Sequence, residues 1–348
     1  MSGRGVPLAL GSALLFGAAA PLSKLLIGSI DPWLLAGILS LGAGCGLTIL
    51  HGGRRLIGLP SPEASLRRAD LPWLAAVVIF GGVLGPLLLM LGLSMTSASA
   101  GSLLLNVEGL ATMVIAWVIF RENVDLRLLF GAVAILAGAV LLSWTGDGFR
   151  LDAGSLLVVA ACVNWGIDNN LTRKLSASDP VQIAMIKGLV AGTTNLVLAL
   201  AVGASLPSAT LFAAGVIAGF LGVGVSLVMF MLALRHLGTA RTGAYFSLAP
   251  FIGAVLALAL FREPITGQLA VAAALMGIGL WLHLRERHEH EHAHDPIEHD
   301  HLHTHDEHHD HHHEGPVTEP HSHWHRHAPL RHSHAHYPDL HHRHGHRG

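Results

Sequence analysis

From residue 6 to about residue 283 the chain is a succession of long apolar runs broken by short polar clusters. Each run has the length that a bilayer demands. A hydrocarbon core of about 30 Å takes roughly 20 apolar residues of helix, because every backbone polar group must be satisfied within the segment. Ten runs meet this requirement, with approximate limits 6–28, 33–52, 71–94, 97–120, 126–145, 153–172, 180–203, 210–235, 239–261 and 266–284. The first is long enough to span and is followed by nine more, so it reads as a retained helix rather than a signal peptide. After Arg287 the pattern changes to HEHEHAHDPIEHDHLHTHDEHHDHHH, with no apolar periodicity. The expected fold is an all-α integral membrane protein with ten transmembrane helices and a disordered C-terminal tail.

Composition agrees: 51% hydrophobic and 13% charged residues exclude a soluble domain with a solvated surface. The formal net charge of -2 argues against a nucleic-acid partner. Cys45 and Cys162 offer no disulfide framework. Orientation follows from the basic residues in the loops. With the N-terminus inside, one side receives Arg4, Arg54, Arg55, Arg67, Arg68, Arg121, Arg127, Arg173, Lys174, Arg235, Arg241, Arg285 and Arg287, and the other only Lys24, Arg150 and Arg262. An even number of spans then places both termini in the cytoplasm and the chain in the inner (plasma) membrane.

Internal repetition refines the architecture. SMTSASAGSLLLNVEGLATMVIAWVIFREN aligns with RHLGTARTGAYFSLAPFIGAVLALALFREP at constant offset, so that Phe120-Arg121-Glu122 falls on Phe261-Arg262-Glu263. Phe16-Gly17 with Leu22-Ser23-Lys24 likewise matches Trp165-Gly166 with Leu171-Thr172-Arg173. The chain divides into 1–145, 150–285 and a tail 286–348. Five helices per half is an odd number, so the halves run oppositely across the membrane.

These residues resemble the drug/metabolite transporter superfamily, in its ten-helix form built from two inverted EamA-like repeats. The F/W-G-x4-L-S/T-K/R pattern, the small-residue entry to the fourth and ninth helices and the F-R-E ending them carry the likeness. Asn123 after the first F-R-E departs from the proline that follows the second at Pro264. The resemblance implies a gradient-coupled carrier, often an exporter of amino acids or other metabolites, with its substrate in a central cavity between the halves. It does not extend to the tail.

Charge within a span is costly and normally faces a cavity or a partner. Glu108, with Asn106 close by, lies near the middle of the fourth helix. It reads either as a proton acceptor or counter-charge to a cationic substrate group, or as one member of an ion pair with Lys187. The sixth helix ends in Asn164-Trp165-Gly166-Ile167-Asp168-Asn169-Asn170. Asn164, Asp168 and Thr172 share a helical face that either lines the cavity or sits hydrated at the membrane surface. Pro21, Pro86 and Pro250 interrupt apolar helices, and Pro250 aligns with Gly109 beside Glu108. Paired irregularities in corresponding places of the two halves point to a binding site, with simple packing kinks as the alternative. Tyr245 and Ser247 are lesser candidates. Lys24 and Arg173 are expected to snorkel to the interface, and Arg262-Glu263 and Arg121-Glu122 to be positioning residues there.

Of the 27 histidines, all but His51, His236 and His283 follow Arg287. His288, His290, His292, His294, His299, His301, His303, His305, His308, His309, His311, His312 and His313 alternate or cluster with carboxylates, a donor set suited to Zn, Ni, Co or Cu. No cofactor is required, and no catalytic triad or phosphate loop supports an enzyme. The expected partners are a small-molecule substrate, the lipid bilayer and divalent metal ions at the tail, with a homodimer compatible. Two functions compete: a metabolite exporter regulated through its tail, and a divalent-metal efflux carrier fed by it. A membrane metal sensor that moves nothing is the third class, and its core has no need of an intramembrane charge.

Overall fold

The structure is a computed structural model that describes residues 5–56, 66–120, 126–144, 151–175, 178–237, 239–284 and four short segments beyond 287. Fourteen helices fill the described part: α1 (Gly5–Ile27), α2 (Pro32–Leu56), α3 (Leu71–Val77), α4 (Gly85–Met95), α5 (Ala98–Leu104), α6 (Val107–Phe120), α7 (Leu126–Ser143), α8 (Ala153–Thr172), α9 (Pro180–Ala201), α10 (Ala209–Gly219), α11 (Ser226–Leu237), α12 (Thr239–Phe246), α13 (Ala249–Phe261) and α14 (Gly267–Leu284). Seven stretches among the described residues are long and apolar enough to cross a membrane: Gly5–Ile27, Pro32–Arg54, Arg68–Met95, Ala98–Ile119, Val181–Ala201, Ala209–Ala233 and Thr242–Phe261. Leu128–Ser143 and Gly267–Leu282 are shorter apolar helices, and α8 carries the polar run that ends at Asn170. Ile49, Val118, Phe130 and Val255 point outward and are largely exposed, an arrangement that lipid tolerates and water penalises.

Helix starts follow local chemistry. Ser97, Asp179 and Ser208 accept hydrogen bonds from the backbone N–H groups of Ala100, Val181 and Leu211, satisfying donors that the first turn leaves orphaned. Pro180 occupies the first turn of α9, where its missing N–H costs nothing. At the other end of α13, Arg262 terminates the helix in the left-handed region at φ 51°. A non-glycine residue there is held by its surroundings at a cost of about 1 kcal/mol or more.

Eight helices join into two broken spans and two bulged ones, in corresponding places. α3 runs into α4 through a π-helical segment, Val78–Leu84, and α10 runs into α11 through another, Phe220–Val225. Pro86 sits in the first turn of α4 and has no N–H to donate to Gly82, the carbonyl four residues back. The wider winding over Val78–Leu84 accommodates that loss. α5 breaks from α6 at Leu105-Asn106, and α12 breaks from α13 at Ser247-Leu248. At the 141-residue offset that superposes Phe120 on Phe261, Asn106 falls on Ser247. The second break again precedes a proline, Pro250, in the first turn of α13.

The halves interleave rather than stack as separate bundles. α2 packs along α9, α7 along α14, α4 and α6 along α8, and α1 along α11 and α13. Small residues set the closest approaches: a Cβ on Gly188 would lie 2.8 Å from the Cα of Gly44, so α2 and α9 meet backbone to backbone. The face at which α1 begins is called the near face below, and the opposite one the far face.

Beyond 287 the described residues form β1 (His288–Ala293), β2 (Glu298–His303), β3 (His321–Arg326) and β4 (Arg331–His336). β1 pairs antiparallel with β4 and β2 with β3. The sequence predicts no regular structure here, and these four strands depart from that. His-x-His repeats with the two-residue period of a strand, which accounts for pairing in these segments despite their polarity. His294, His305, His308, His309, His311, His312 and His313 lie outside the described residues.

Candidate functional site

The mid-membrane polar groups gather where α6, α8 and α9 meet beside the first π-helical segment. Asp168, buried on α8, accepts a hydrogen bond and ion pair from Lys187 of α9, with Nζ 2.5 Å from Oδ2. Thr172, one turn further along α8, donates to the other carboxylate oxygen of Asp168 at 3.4 Å. Room for this carboxylate comes from Gly81 in the π-helical segment, since a Cβ there would fall 2.1 Å from Asp168 Cγ. The widened helix also exposes carbonyls. Trp165 Nε1 donates to Gly81 O at 3.0 Å, and Asn195 Nδ2 donates to Val83 O at 3.2 Å. Asn195 is oriented in turn by Trp33 Nε1, which donates to its Oδ1 at 3.1 Å.

Glu108, in the first turn of α6, makes no ion pair with Lys187. Its Oε1 accepts from Asn169 Nδ2 at 3.0 Å, and the same amide nitrogen donates to Thr112 Oγ1 at 3.1 Å. Asp168 and Lys187 remain within electrostatic range of Glu108. Among the described residues no cation lies within ion-pair distance of the Glu108 carboxylate. Asn169, an exposed position on α8, thus joins the site directly, while Asp168 is buried beside it and Thr172 half-buried.

The other sequence candidates fall elsewhere. Asn106 donates to Leu103 O at 2.8 Å and so satisfies the break between α5 and α6. Asn164 donates to Ala160 O at 2.8 Å, a local bond within α8. Tyr245 is half-buried in α12 and Pro250 opens α13, both at the second break and with no hydrogen bond to the Glu108 group. Ser247 Oγ donates back to Gly243 O at 2.8 Å. Thr112 and Asn195 carry polar contacts that sequence reasoning passed over; Asn195 closes the polar triplet Thr193-Thr194-Asn195 within α9, the one available signal.

Two residues read as interfacial turn out to engage backbone at the far face. Lys24 does not snorkel: it donates to Leu93 O and, at 2.9 Å, to Thr96 O, the carbonyls that end α4. Glu263 accepts from Ala98 N at 2.9 Å, Ser99 N at 3.1 Å and Ser99 Oγ, and so holds the start of α5. Glu122, its counterpart, lies outside the described residues.

Among the described residues no group of three His, Cys, Asp or Glu side chains is placed to hold a metal ion. At the loop between α7 and α8, Asp152 accepts from Ser155 N at 2.7 Å and Ser155 Oγ at 2.8 Å. Partial burial acts to raise its affinity for a proton, but these bonds, with further ones from Thr96 and Gly154, outweigh it and hold the carboxyl below the usual range.

Comparison with known proteins adds three findings. The family model described as the EamA-like transporter family matches residues 3–144 and again 152–285. An uncharacterized transporter of Methanothermobacter thermautotrophicus is 30% identical over 281 residues, covering 76% of this chain and 81% of that protein. A solved crystal structure of a protein superposes with a TM-score of 0.58 at 20% identity, covering 81% of this chain and 96% of the other, a likeness of fold.

Proposed function

The chain belongs to the EamA-like transporter family, and from that membership we propose that it is a secondary-active carrier, working as an exporter, for a small metabolite of the amino-acid class. Ten spans in two inverted five-helix repeats, 1–145 and 150–285, alternate access to a site near the bilayer midplane, with both termini in the cytoplasm of an inner-membrane protein. The observation that carries the reading is the state of Glu108: a carboxylate near mid-membrane that, among the described residues, accepts a hydrogen bond from the uncharged amide of Asn169 and meets no cation at ion-pair distance. A charge placed so deep without a countercharge is expensive. It is relieved when the carboxylate takes a proton or faces the ammonium group of a bound substrate. Asn169 and Thr112 hold it in position for either event, and the Asp168–Lys187 pair beside it supplies a second polar wall. The histidines of the tail bind divalent transition metal and regulate the carrier.

Flux of a panel of labelled amino acids into inside-out proteoliposomes under an imposed pH gradient tests this. We expect at least one amino acid to accumulate in a gradient-dependent way and the Glu108→Gln variant, inserted normally, to lose that accumulation. Wild-type accumulation by Glu108→Gln would overturn the role given to Glu108. The alternating His-x-His segments of the tail favour a second reading, divalent-metal efflux. Flux of Ni, Co or Zn that Glu108→Gln abolishes, without amino-acid flux, would install it.

A further inference from the structure

The two halves are built alike but are packed unlike. At the far face α5 lies along α13. Repeat correspondence at the 141-residue offset maps α5 onto α12 and α13 onto α6, so the equivalent contact at the near face is α12 along α6. Among the described residues that contact has no comparable extent. Single positions report the same asymmetry. A Cβ on Gly253 of α13 would meet the Ser102 side chain of α5 at 3.1 Å. The corresponding pair is Thr112 of α6 and Gly243 of α12, and a Cβ on Gly243 would meet nothing within 4 Å.

The principal contacts of α6 and α13 keep the symmetry. Gly17 of α1 packs on Ala249 and Ile252 of α13, and Gly166 of α8 packs on Ala111 and Thr112 of α6 in the corresponding way. One pair of helix contacts is thus common to both halves, and a second is made at only one face. The breaks at Leu105-Asn106 and Ser247-Leu248 separate α5 from α6 and α12 from α13. They let α5 and α12 move without disturbing the Gly17 and Gly166 contacts. What holds α5 down is specific: Glu263 bonds the backbone of Ala98 and Ser99, and Lys24 bonds the carbonyls of Leu93 and Thr96 immediately before it.

We propose that Lys24 and Glu263 form a latch that closes the far face, and that its release lets the near face close by seating Gly243 of α12 against Thr112 of α6. This rests on the transporter reading and adds to it the two positions that meet when access switches. Gly243 occupies the place that Ser102 holds in the far-face contact with Gly253. Thr112 bonds Asn169, which bonds Glu108, so closure at Gly243 bears directly on the proposed site.

The test uses full-length protein in native membranes, with Cys45→Ala and Cys162→Ala, Thr112→Cys and Gly243→Cys, and a short bifunctional thiol reagent. It needs no knowledge of the substrate, so its failure is distinct from failure of the flux experiment. We expect weak cross-linking, rising several-fold when Glu263→Gln or, independently, Lys24→Met is added. Each variant is scored only after gel filtration shows the folded monodisperse protein, and two latch variants guard against one that fails to fold. A pair that never cross-links, or a yield indifferent to both latch variants, overturns the proposal.

Discussion

Lys187 directs its ammonium group to Asp168, with 2.5 Å between charged atoms, and so leaves Glu108 to uncharged partners. The two acidic side chains are near each other but have been given different work. Asp168 is neutralised by a neighbour, with its side chain only 5% exposed and that of Lys187 27%. Glu108 is held ready and not neutralised.

Breaking the Asp168–Lys187 pair from one side strands the other charge in a site of low polarity. Removing one partner of a fully buried pair costs roughly 3–5 kcal/mol, and the partial exposure of Lys187 reduces this to about 1–3 kcal/mol. Asp168→Asn and Lys187→Met should each lower thermal stability in detergent by that amount. The double variant should recover most of the loss. If the double variant is as unstable as the sum of the singles, the pair is not the unit described.

Asn169→Ala removes the donor shared by Glu108 and Thr112 while leaving an exposed position on α8. A hydrogen bond to a charged group contributes about 1.5–3 kcal/mol. The variant should insert and fold normally and transport about tenfold or more slowly, as initial flux in proteoliposomes will show. Unchanged flux would remove Asn169 from the site.

Much of this arrangement is legible in the sequence because the bilayer enforces it. The limits of α8, 153–172, and of the second broken span, 239–261, agree with the apolar runs, since a helix cannot end inside lipid without stranding its carbonyls. The paired breaks are legible too, through Pro250 and the repeat. Partner choice is not. Lys24 and Glu263 occupy span ends, where snorkelling is the ordinary fate, and only the folded chain shows them turned onto the backbone of α4 and α5. The sequence pairs Lys187 with Glu108, whereas the folded chain pairs it with Asp168, which the glycine at position 81 of the π-helical segment leaves room for.

The small residue after the aromatic is a structural requirement in both repeats. A Cβ on Gly17 would lie 2.4 Å from Ala249 O, and one on Gly166 would lie 2.9 Å from Ala111 Cβ. Backbone and packed side chain cannot retreat far, and overpacking of this kind costs about 1–3 kcal/mol. Gly17→Val and Gly166→Val should each lower the melting temperature, Gly17→Val by more because its backbone neighbour is closer, 2.4 Å to Ala249 O against 2.9 Å to Thr112 N. Equal stability of either variant to the wild type would contradict the close contact.

Asp152 makes the loop before α8 sensitive to acid. Burial acts to raise its proton affinity, but the bonds from Ser155, Thr96 and Gly154 prevail and its folded carboxyl titrates below the usual range. A depressed carboxyl contributes stability that is present above the unfolded value, about 3.9, and is lost as pH falls through the folded one. The site is largely open to solvent, so the contribution is small, below about 1 kcal/mol. Asp152→Asn should therefore lower stability slightly at neutral pH and flatten its decline in that acid window. A parallel decline in variant and wild type would assign the acid sensitivity elsewhere.

Truncation after Glu286 separates the tail from the carrier. His288, His290 and His292 are registered opposite His336, His334 and His332 across β1 and β4, and His299, His301 and His303 opposite His325, His323 and His321 across β2 and β3. Neutral imidazole binds Zn, Ni, Co or Cu and protonated imidazole does not, so histidine-rich segments of this kind are expected to take up metal in a pH-dependent way. Calorimetric titration should show several moles of Ni or Zn bound per full-length chain at pH 7.5, most of it lost by pH 5.5 and nearly all of it lost on truncation. The truncated chain should keep its helical fold and its metabolite flux but lose any dependence of that flux on metal. Metal bound as strongly without the tail would place the site in the membrane core, and metal-indifferent flux in the full chain would leave the tail a chelator with no hold on the carrier.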